Sequence, residues 1–205
     1  HTLAPSMLPD TMMIGNYDTV DIKVHSIPPV FLSKVPLKKY IHNLIELPLP
    51  IGQVGVHWEK LSLNSNYEAP EILLYQDQKW LYTSKISDTI SLLKGTYDMT
   101  LTTIPLLHYP KVNVSSQKLK PYTLPQPGYL NVTKSTAIHA DLYYYDDKNI
   151  LTQCYQFQPQ KTIENLTLLP RKYKIIYRSH RSMTIHGTFE KSFEIKGGDF
   201  INIAL

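Results

Sequence analysis

The sequence predicts an all-β fold made of tandem antiparallel β-sandwich modules, and three observations support this prediction. Residues 21–28 reappear as residues 98–105, at an offset of 98 − 21 = 77. Each copy alternates apolar and polar residues, which is typical of a strand with one buried face. The 205-residue chain contains 15 tyrosines, and aromatic residues favour strands. A fixed period of this length indicates repeated modules, each large enough for its own core.

The spacing of the repeats indicates how the chain divides into modules. Residues 168–173 match residues 92–97 at an offset of 168 − 92 = 76. We therefore expect complete sandwich modules at residues 48–125 and 126–205, and a partial module at residues 1–47. The partial module is expected to be the back half of a truncated sandwich.

Each module is predicted to contain a central strand followed by a return strand. Central strands are expected at residues 20–25, 97–102 and 173–178. Pro28 and Pro105 should end the first two, because proline lacks the N–H group that the interior of a sheet needs. Return strands are expected at residues 35–37, 111–114 and 188–195.

A closing strand and a proline-rich linker are predicted next. Closing strands are expected at residues 44–47, 121–124 and 200–205. Pro-x-Pro segments at residues 48–50 and 125–127 follow the first two, and short segments of this kind are stiff and extended. The modules are therefore expected to hold a restricted mutual orientation.

The front halves of the two complete modules share a shorter similarity. Residues 74–79 resemble residues 143–148 at an offset of 143 − 74 = 69. Residues 146–149 are turn formers and predict a hairpin, whereas residues 84–93 fit a strand or a loop. This gives about seven strands per complete module, as in a small antiparallel sandwich.

Charge and hydropathy argue against two classes of partner. The net charge of +4 and the pI of about 8.9 are a smaller basic excess than nucleic-acid-binding surfaces carry, so no nucleic-acid partner is predicted. Lys172, Lys174 and Arg178 are expected to line one solvated strand face. No stretch approaches the roughly 20 apolar residues of a membrane span, so no span is predicted.

The sequence contains no motif of a common catalytic or metal site. There is no phosphate-binding glycine loop, no His-Glu-x-x-His and no Gly-x-Ser-x-Gly,. The single cysteine, Cys154, is expected to be a small buried apolar residue. His180 and His186 could share a face, although exposed histidines are the simpler interpretation. Three aspartates could ligate calcium, but their spacing matches no established loop: Asp141, Asp146 and Asp147. We therefore predict no catalytic residue, no metal site and no cofactor.

Aromatic residues are the leading candidates for ligand binding. Trp80 and Tyr82 are expected to share a face of one strand, as residues i and i + 2 do. Tyr143 and Tyr145 flank Tyr144 on the strand expected to match it. Exposed rings can stack on sugars, whereas tyrosine and tryptophan also fill cores and module junctions. The sequence leaves both alternatives open.

Several short motifs resemble a known group of modules. They are the Leu-Leu pair before the central strand, the Gly197-Gly198 turn before the final strand, and the strand end at residues 26–30. Together they resemble carboxypeptidase-regulatory-like or PEGA-type β-sandwich repeats, like those C-terminal to von Willebrand factor A domains in bacterial surface proteins. The resemblance implies an immunoglobulin-like or transthyretin-like sandwich with a role in spacing, presentation or protein contact. The Asp-x-Ser-x-Ser adhesion motif of the von Willebrand A domain is absent from the sequence.

The sequence therefore predicts a non-enzymatic segment of a larger bacterial envelope or secreted protein, periplasmic or extracellular. The segment would space or present another domain of its parent chain, or dock to a protein partner. One alternative is a carbohydrate-binding module that uses exposed aromatic residues, and another is a hydrolase assembled from distant residues. An open sheet edge in the partial module would also allow a homodimer.

Overall fold

The structure, a computed structural model, describes residues 17–60, 68–135, 137–179 and 187–205. Within these residues the chain forms sixteen β-strands and no α-helix. The first two strands are β1 (Thr19–Val24) and β2 (Val30–Pro36), which pair as an antiparallel hairpin.

Seven strands form the middle module, and seven form the last one. The middle strands are β3 (Ile51–Trp58), β4 (Glu71–Gln76), β5 (Lys79–Lys85), β6 (Thr89–Leu93), β7 (Gly95–Leu101), β8 (Leu107–Val114) and β9 (Leu119–Leu124). The last are β10 (Gly128–Thr133), β11 (Ile138–Tyr145), β12 (Leu151–Gln156), β13 (Ile163–Leu168), β14 (Arg171–Ser179), β15 (Thr188–Ile195) and β16 (Phe200–Ala204).

The two sets of seven strands have the same topology. The middle strands form a three-stranded sheet, β6-β3-β9, and a four-stranded sheet, β5-β4-β7-β8. The last strands form β13-β10-β16 and β12-β11-β14-β15, which is the same order shifted by seven strands. The prediction of tandem all-β sandwich modules is confirmed.

One strand pair in each sandwich is parallel, which the sequence did not reveal. The closing strand β9 pairs parallel with β3, and β16 pairs parallel with β10. The chain crosses from the four-stranded to the three-stranded sheet before each closing strand. The closing strand therefore runs in the same direction as the first strand of its module, the opening strand, which is β3 or β10. All other pairs among the described strands are antiparallel.

Each sandwich has its own apolar core. The two clusters of buried side chains share no residue, because the inward positions of each pair of sheets face each other,. The middle core contains Val54, Val56, Ile72, Leu74, Ile90, Leu92, Tyr97, Met99, Leu101, Val112, Val114 and Leu124. The last core contains Leu130, Val132, Ile138, Ala140, Leu142, Phe157, Leu166, Leu168, Tyr173, Ile175 and Ile195.

The hairpin β1–β2 reproduces the central pair β7–β8 in detail. Asp21 Oδ1 accepts a hydrogen bond from the Lys34 backbone N–H at 2.7 Å, and Asp98 Oδ1 accepts one from the Lys111 N–H at 2.9 Å. Both lysines have φ of 54°, and a register shift accompanies each. The 77-residue repeat therefore occupies equivalent structural positions.

In the last module an ion pair stands where the other two modules have the aspartate hydrogen bond and the register shift, which is a β-bulge. Lys174 lies at the position of Asp98, since 98 + 76 = 174. Its Nζ lies 3.0 Å from Glu190 Oε2, and β14 pairs with β15 without a register shift. A lysine cannot accept a backbone N–H, so the local reason for the bulge is absent here.

Two expectations about the strands were wrong. Residues 44–47 form no strand, because β9 and β16 each pair with an opening strand and the described part of the first module has none. The similarity of the front halves runs at 142 − 74 = 68, not 69, because Leu74 pairs with Met99 as Leu142 pairs with Ile175. A slip of one residue exchanges the two faces of a strand.

Candidate functional site

The junction between successive modules is built from a repeated turn, the Ile-Pro corner. It consists of Ile27-Pro28 in the first module and Ile104-Pro105 in the middle module. The Leu93 backbone N–H in the middle module donates to the Ile27 carbonyl at 2.8 Å. The Ile27 side chain, from the first module, packs against the middle core. The corner therefore joins one module to the core of the next.

The second junction repeats the first. The Leu169 N–H in the last module donates to the Ile104 carbonyl at 2.9 Å, and Ile104 forms a parallel β-bridge with Leu168. The Ile104 side chain packs against the last core. The offsets, 104 − 27 = 77 and 169 − 93 = 76, are those of the sequence repeat.

A hydroxyl group at each corner stabilises its local shape. Ser26 Oγ donates to the Pro28 carbonyl at 2.7 Å, and Thr103 Oγ1 donates to the Pro105 carbonyl at 2.7 Å. Both Ile-Pro peptide bonds are cis. Thr103 is buried, so the second corner presents its isoleucine from a closed, internally bonded turn.

At each junction, the module that receives the isoleucine has a buried tyrosine next to the contact. Tyr97 donates its hydroxyl to the Leu93 carbonyl at 2.7 Å, and Tyr173 donates to the Leu169 carbonyl at 2.7 Å. The Tyr173 hydroxyl also lies 3.1 Å from the Ile104 carbonyl. Burial raises the pKa of both tyrosines above the ordinary value, so both hydroxyls keep their proton and remain donors.

Trp80 is the most exposed of the four predicted ligand-binding residues. It lies on the edge strand β5 with 63% of its surface exposed, and its Nε1 donates to Thr83 Oγ1 at 3.1 Å. Its cross-strand neighbour is Tyr75. An exposed indole on a sheet edge is available for stacking on a ligand.

Tyr82 lies on the same strand, but a bulge separates it from Trp80. Trp80 pairs with Tyr75 and Tyr82 pairs with Leu74, so Leu81 is an extra residue between them. The alternation on which a shared face was predicted is interrupted there. Tyr82 is 39% exposed.

Tyr143 and Tyr145 lie on the outer face of the other module. Their neighbours Leu142 and Tyr144 face or pack against the last core, so alternation places the two tyrosines outward,. Both are half-buried, and Tyr145 borders a shallow depression with Lys172. The four predicted residues therefore belong to two different sheets in two modules.

The most buried polar group in the last module is an ion pair that sequence reasoning missed. Lys134 Nζ lies 2.6 Å from Glu164 Oε1, with side-chain exposures of 0% and 1%. Lys134 also donates to the Gln158 carbonyl at 2.6 Å, and Glu164 accepts from Tyr155 Oη at 2.9 Å. Both carboxylate oxygens of Glu164 accept hydrogen bonds, and Lys134 Nζ donates to two partners, which suits a structural role. The signal in the sequence was a lysine directly after a buried strand.

The remaining candidates have ordinary structural partners. Burial raises the pKa of the Cys154 thiol to about 12, which disfavours the reactive thiolate. Asp146 Oδ1 accepts from the backbone N–H groups of Lys148 and Ile150 at 2.9 and 2.7 Å, as expected for a hairpin turn. The outward lysine Lys174 is paired with Glu190.

The described ranges contain neither a candidate metal cluster nor a membrane-spanning helix. No cluster of three or more His, Cys, Asp or Glu side chains that could hold a metal ion occurs among those residues. Two of the candidate ligands, His180 and His186, lie outside them. The described part of the chain also contains no helix with the length and apolar character needed to cross a membrane.

Comparisons with known proteins assign the chain to no family. No family model and no curated protein matches it. The solved structures that are similar include the Bacillus anthracis TIE protein, with 15% identity and a TM-score of 0.31 over 77% of this chain. The chain spans 33% of the length of that TIE protein chain.

Two structures of candidate adhesins from Bacteroides ovatus are similar as well. The first has 9% identity and a TM-score of 0.30, covering 78% of this chain and 88% of the adhesin. The second has 7% identity and a TM-score of 0.30, covering 77% and 93%. The resemblance to PEGA-type repeats stays a prediction.

Proposed function

We propose that this chain is a non-catalytic structural segment that holds its modules in a fixed mutual orientation, and so spaces or presents other parts of a longer protein. The observation that carries the proposal is the repeated junction. The same isoleucine carbonyl, the same leucine N–H and the same side-chain insertion occur at both junctions, with Ile27 and Ile104 as the inserted residues.

The physical argument is that each junction couples modules through a core and not only through a linker. A flexible linker alone would leave two modules free to reorient. Here an isoleucine of one module is part of the apolar packing of the next, and its carbonyl completes a hydrogen bond there. Reorientation would expose that side chain and leave the Leu169 N–H unpaired, and both changes are unfavourable.

Ile104→Ala tests this proposal in the full chain. Spin labels on cysteines placed at the exposed positions Lys79 and Lys148, in a Cys154→Ser background, report the distance between the middle and last modules. We expect one narrow distance distribution in the parent protein and a broad one in the variant. Leu106→Ala is the matched control, because Leu106 lies two residues away and is exposed. A distribution that stays narrow in Ile104→Ala would refute a rigid spacer held by this junction.

A second candidate function is carbohydrate binding, and the exposure of Trp80 favours it. The indole lies beside Tyr75 on an accessible edge strand, an arrangement that could hold a sugar ring by stacking. Trp80→Ala should abolish retention on a polysaccharide column, whereas Tyr143→Ala on the other module should not. Absence of binding by the parent protein across a broad glycan array would remove this candidate.

The cellular setting is proposed from the sequence resemblance. The parent would be a bacterial envelope or secreted protein, and the partner would be another protein or another domain of the same parent chain. The divisions at residues 47/48 and 125/126 are part of the same proposal, with residues 1–47 as a partial module.

A further inference from the structure

Among the described residues, one hydroxyl group contacts the inserted isoleucine carbonyl at the second junction and has no counterpart at the first. At the first junction the Tyr97 hydroxyl is bonded, among the described residues, to the Leu93 carbonyl of its own module. At the second, the Tyr173 hydroxyl lies 2.7 Å from the Leu169 carbonyl of its own module and 3.1 Å from the Ile104 carbonyl of the preceding one. The last module thus contacts the inserted corner through one more polar group than the middle module does.

The position of Tyr173 suits it to fix the angle of the corner. Its hydroxyl oxygen lies within hydrogen-bonding distance of two carbonyl oxygens, one from each module, so its single proton can be shared between them. The Ile104 carbonyl consequently has two donors, the Leu169 N–H and this hydroxyl. With one donor, the Ile104 carbonyl can change its direction relative to the last module while the hydrogen bond is kept. Two donors from different directions restrict that change.

The surroundings of Tyr173 hold the hydroxyl in place. The side chain is fully buried, and its ring stacks on Phe193 with centroids 5.6 Å apart. Burial raises its pKa, so the hydroxyl keeps its proton at neutral pH. A second contact crosses the same junction, since Thr167 Oγ1 donates to the Glu68 carbonyl at 3.2 Å.

We propose that Leu168, Leu169 and Tyr173 form a docking site for the Ile-Pro corner of the preceding module. The Tyr173 hydroxyl is the positioning group that sets the orientation of the docked module. This inference rests on the proposed spacer function and names the group that sets its geometry. The partner chemistry is specific: a branched apolar side chain that enters the core, followed by a turn that presents its own carbonyl to two donors.

Tyr173→Phe tests the inference, with Tyr97→Phe as the matched control. Each substitution removes one buried hydroxyl that bonds a leucine carbonyl, but only the first removes a contact across the second junction. Label distances between positions 79 and 148 are measured for both variants in the full chain, with circular dichroism to confirm that each is folded. We expect Tyr173→Phe to lose the narrow distance peak and Tyr97→Phe to keep it.

The outcomes separate this inference from the proposed function. A narrow peak in Tyr173→Phe together with a broad one in Ile104→Ala would overturn the role of the hydroxyl and leave the spacer intact. A narrow peak in both variants would overturn both proposals. If Tyr173→Phe fails to fold while Tyr97→Phe folds, the Tyr173 hydroxyl is required for folding of the last module, and the inference that it acts as a positioning group is overturned.

Discussion

At the scale of single residues, the repeat keeps positions while changing the chemistry that fills them. Lys134 in the last module corresponds to Trp58 in the middle one, since 58 + 76 = 134. Trp58 packs against the middle core, whereas Lys134 forms a buried pair with Glu164. The same place in the fold is stabilised by apolar contact in one copy and by paired charges in the other.

Breaking the buried ion pair should destabilise the last module strongly. Glu164→Gln leaves the Lys134 charge buried without its partner, and removal of one member of such a pair costs about 3–5 kcal/mol. Urea unfolding followed by tyrosine fluorescence would measure the loss. The double variant Lys134→Met with Glu164→Leu removes both charges and should recover most of the stability. A single variant as stable as the parent protein would contradict this account of the pair.

Alkaline pH should also destabilise this region, through Tyr155. Burial and the hydrogen bond to Glu164 raise its pKa from 10.0 to about 12. Because the folded-state pKa lies above the unfolded value, the contribution to stability is complete below pH 10 and disappears as the pH rises towards 12. Tyr155→Phe should therefore weaken the pH dependence of the unfolding free energy in that window. Tyr143→Phe, on the outer face, should leave it unchanged.

At the scale of elements, each opening strand, β3 or β10, has a glycine at its first or second residue, where two chain segments come close. A Cβ atom on Gly52 would lie 2.1 Å from the Ser115 carbonyl oxygen, and one on Gly128 would lie 2.4 Å from Ile195 Cγ2. Gly52 and Gly128 are 76 residues apart, so this close approach is part of the repeat. It brings the opening strand of one sheet against the end of the return strand of the other.

Gly52→Ala should therefore destabilise the middle module. The nearest atom is backbone and cannot rotate away, and forced shifts of this kind cost about 1–3 kcal/mol. Gly95→Ala is a useful comparison, because a Cβ there would lie 3.3 Å from the Tyr97 hydroxyl, a contact that a small shift relieves. Thermal unfolding should show a clear loss for the first variant and a much smaller one for the second. Equal losses would argue against the close approach as the cause.

At the scale of the whole molecule, the chain is a row of similar sandwiches with unlike ends. In the two complete modules the central strand is paired on both sides, β7 with β4 and β8, and β14 with β11 and β15. Among the described residues, β1 pairs only with β2. At the other end, the positions that match Ile104 and Pro105 hold His180 and Arg181. The Ile-Pro corner is therefore not repeated in the last copy.

Among the described strands, one edge of β1 has no partner, so the homodimer stays a prediction, and the sequence of β1 is self-complementary. In an antiparallel pair of β1 strands centred on Ile22, Asp21 would lie opposite Lys23 of a second copy, and Val20 opposite Val24. Cross-strand pairs of opposite charge and of β-branched residues are favourable. Lys23→Glu should shift sedimentation towards monomer, whereas Lys79→Glu on β5 should not. A parent protein that sediments as a monomer at high concentration would exclude this dimer.

The strands and their repetition followed from the sequence because their causes are local. Alternation of apolar and polar residues along 20–25 and 97–102 predicts a half-buried strand wherever it occurs, and Pro28 or Pro105 ends the run because proline lacks the N–H group that a sheet interior needs. The turn at 146–149 followed in the same way from its residue types. These features need no knowledge of distant parts of the chain.

The junction and the candidate surfaces depended on the tertiary structure, because their contacts join residues far apart in sequence. Tyr173 and Ile104 are 69 residues apart, and nothing in either segment alone predicts that one hydroxyl meets that carbonyl. The bulge at Leu81 and the correct offset of 68 depend on which residues pair across strands, and one unpaired residue exchanges the faces that alternation assigns. The sequence by itself determined which segments become strands and that they repeat; pairing between distant segments decided how the modules join and which aromatic side chains face the solvent.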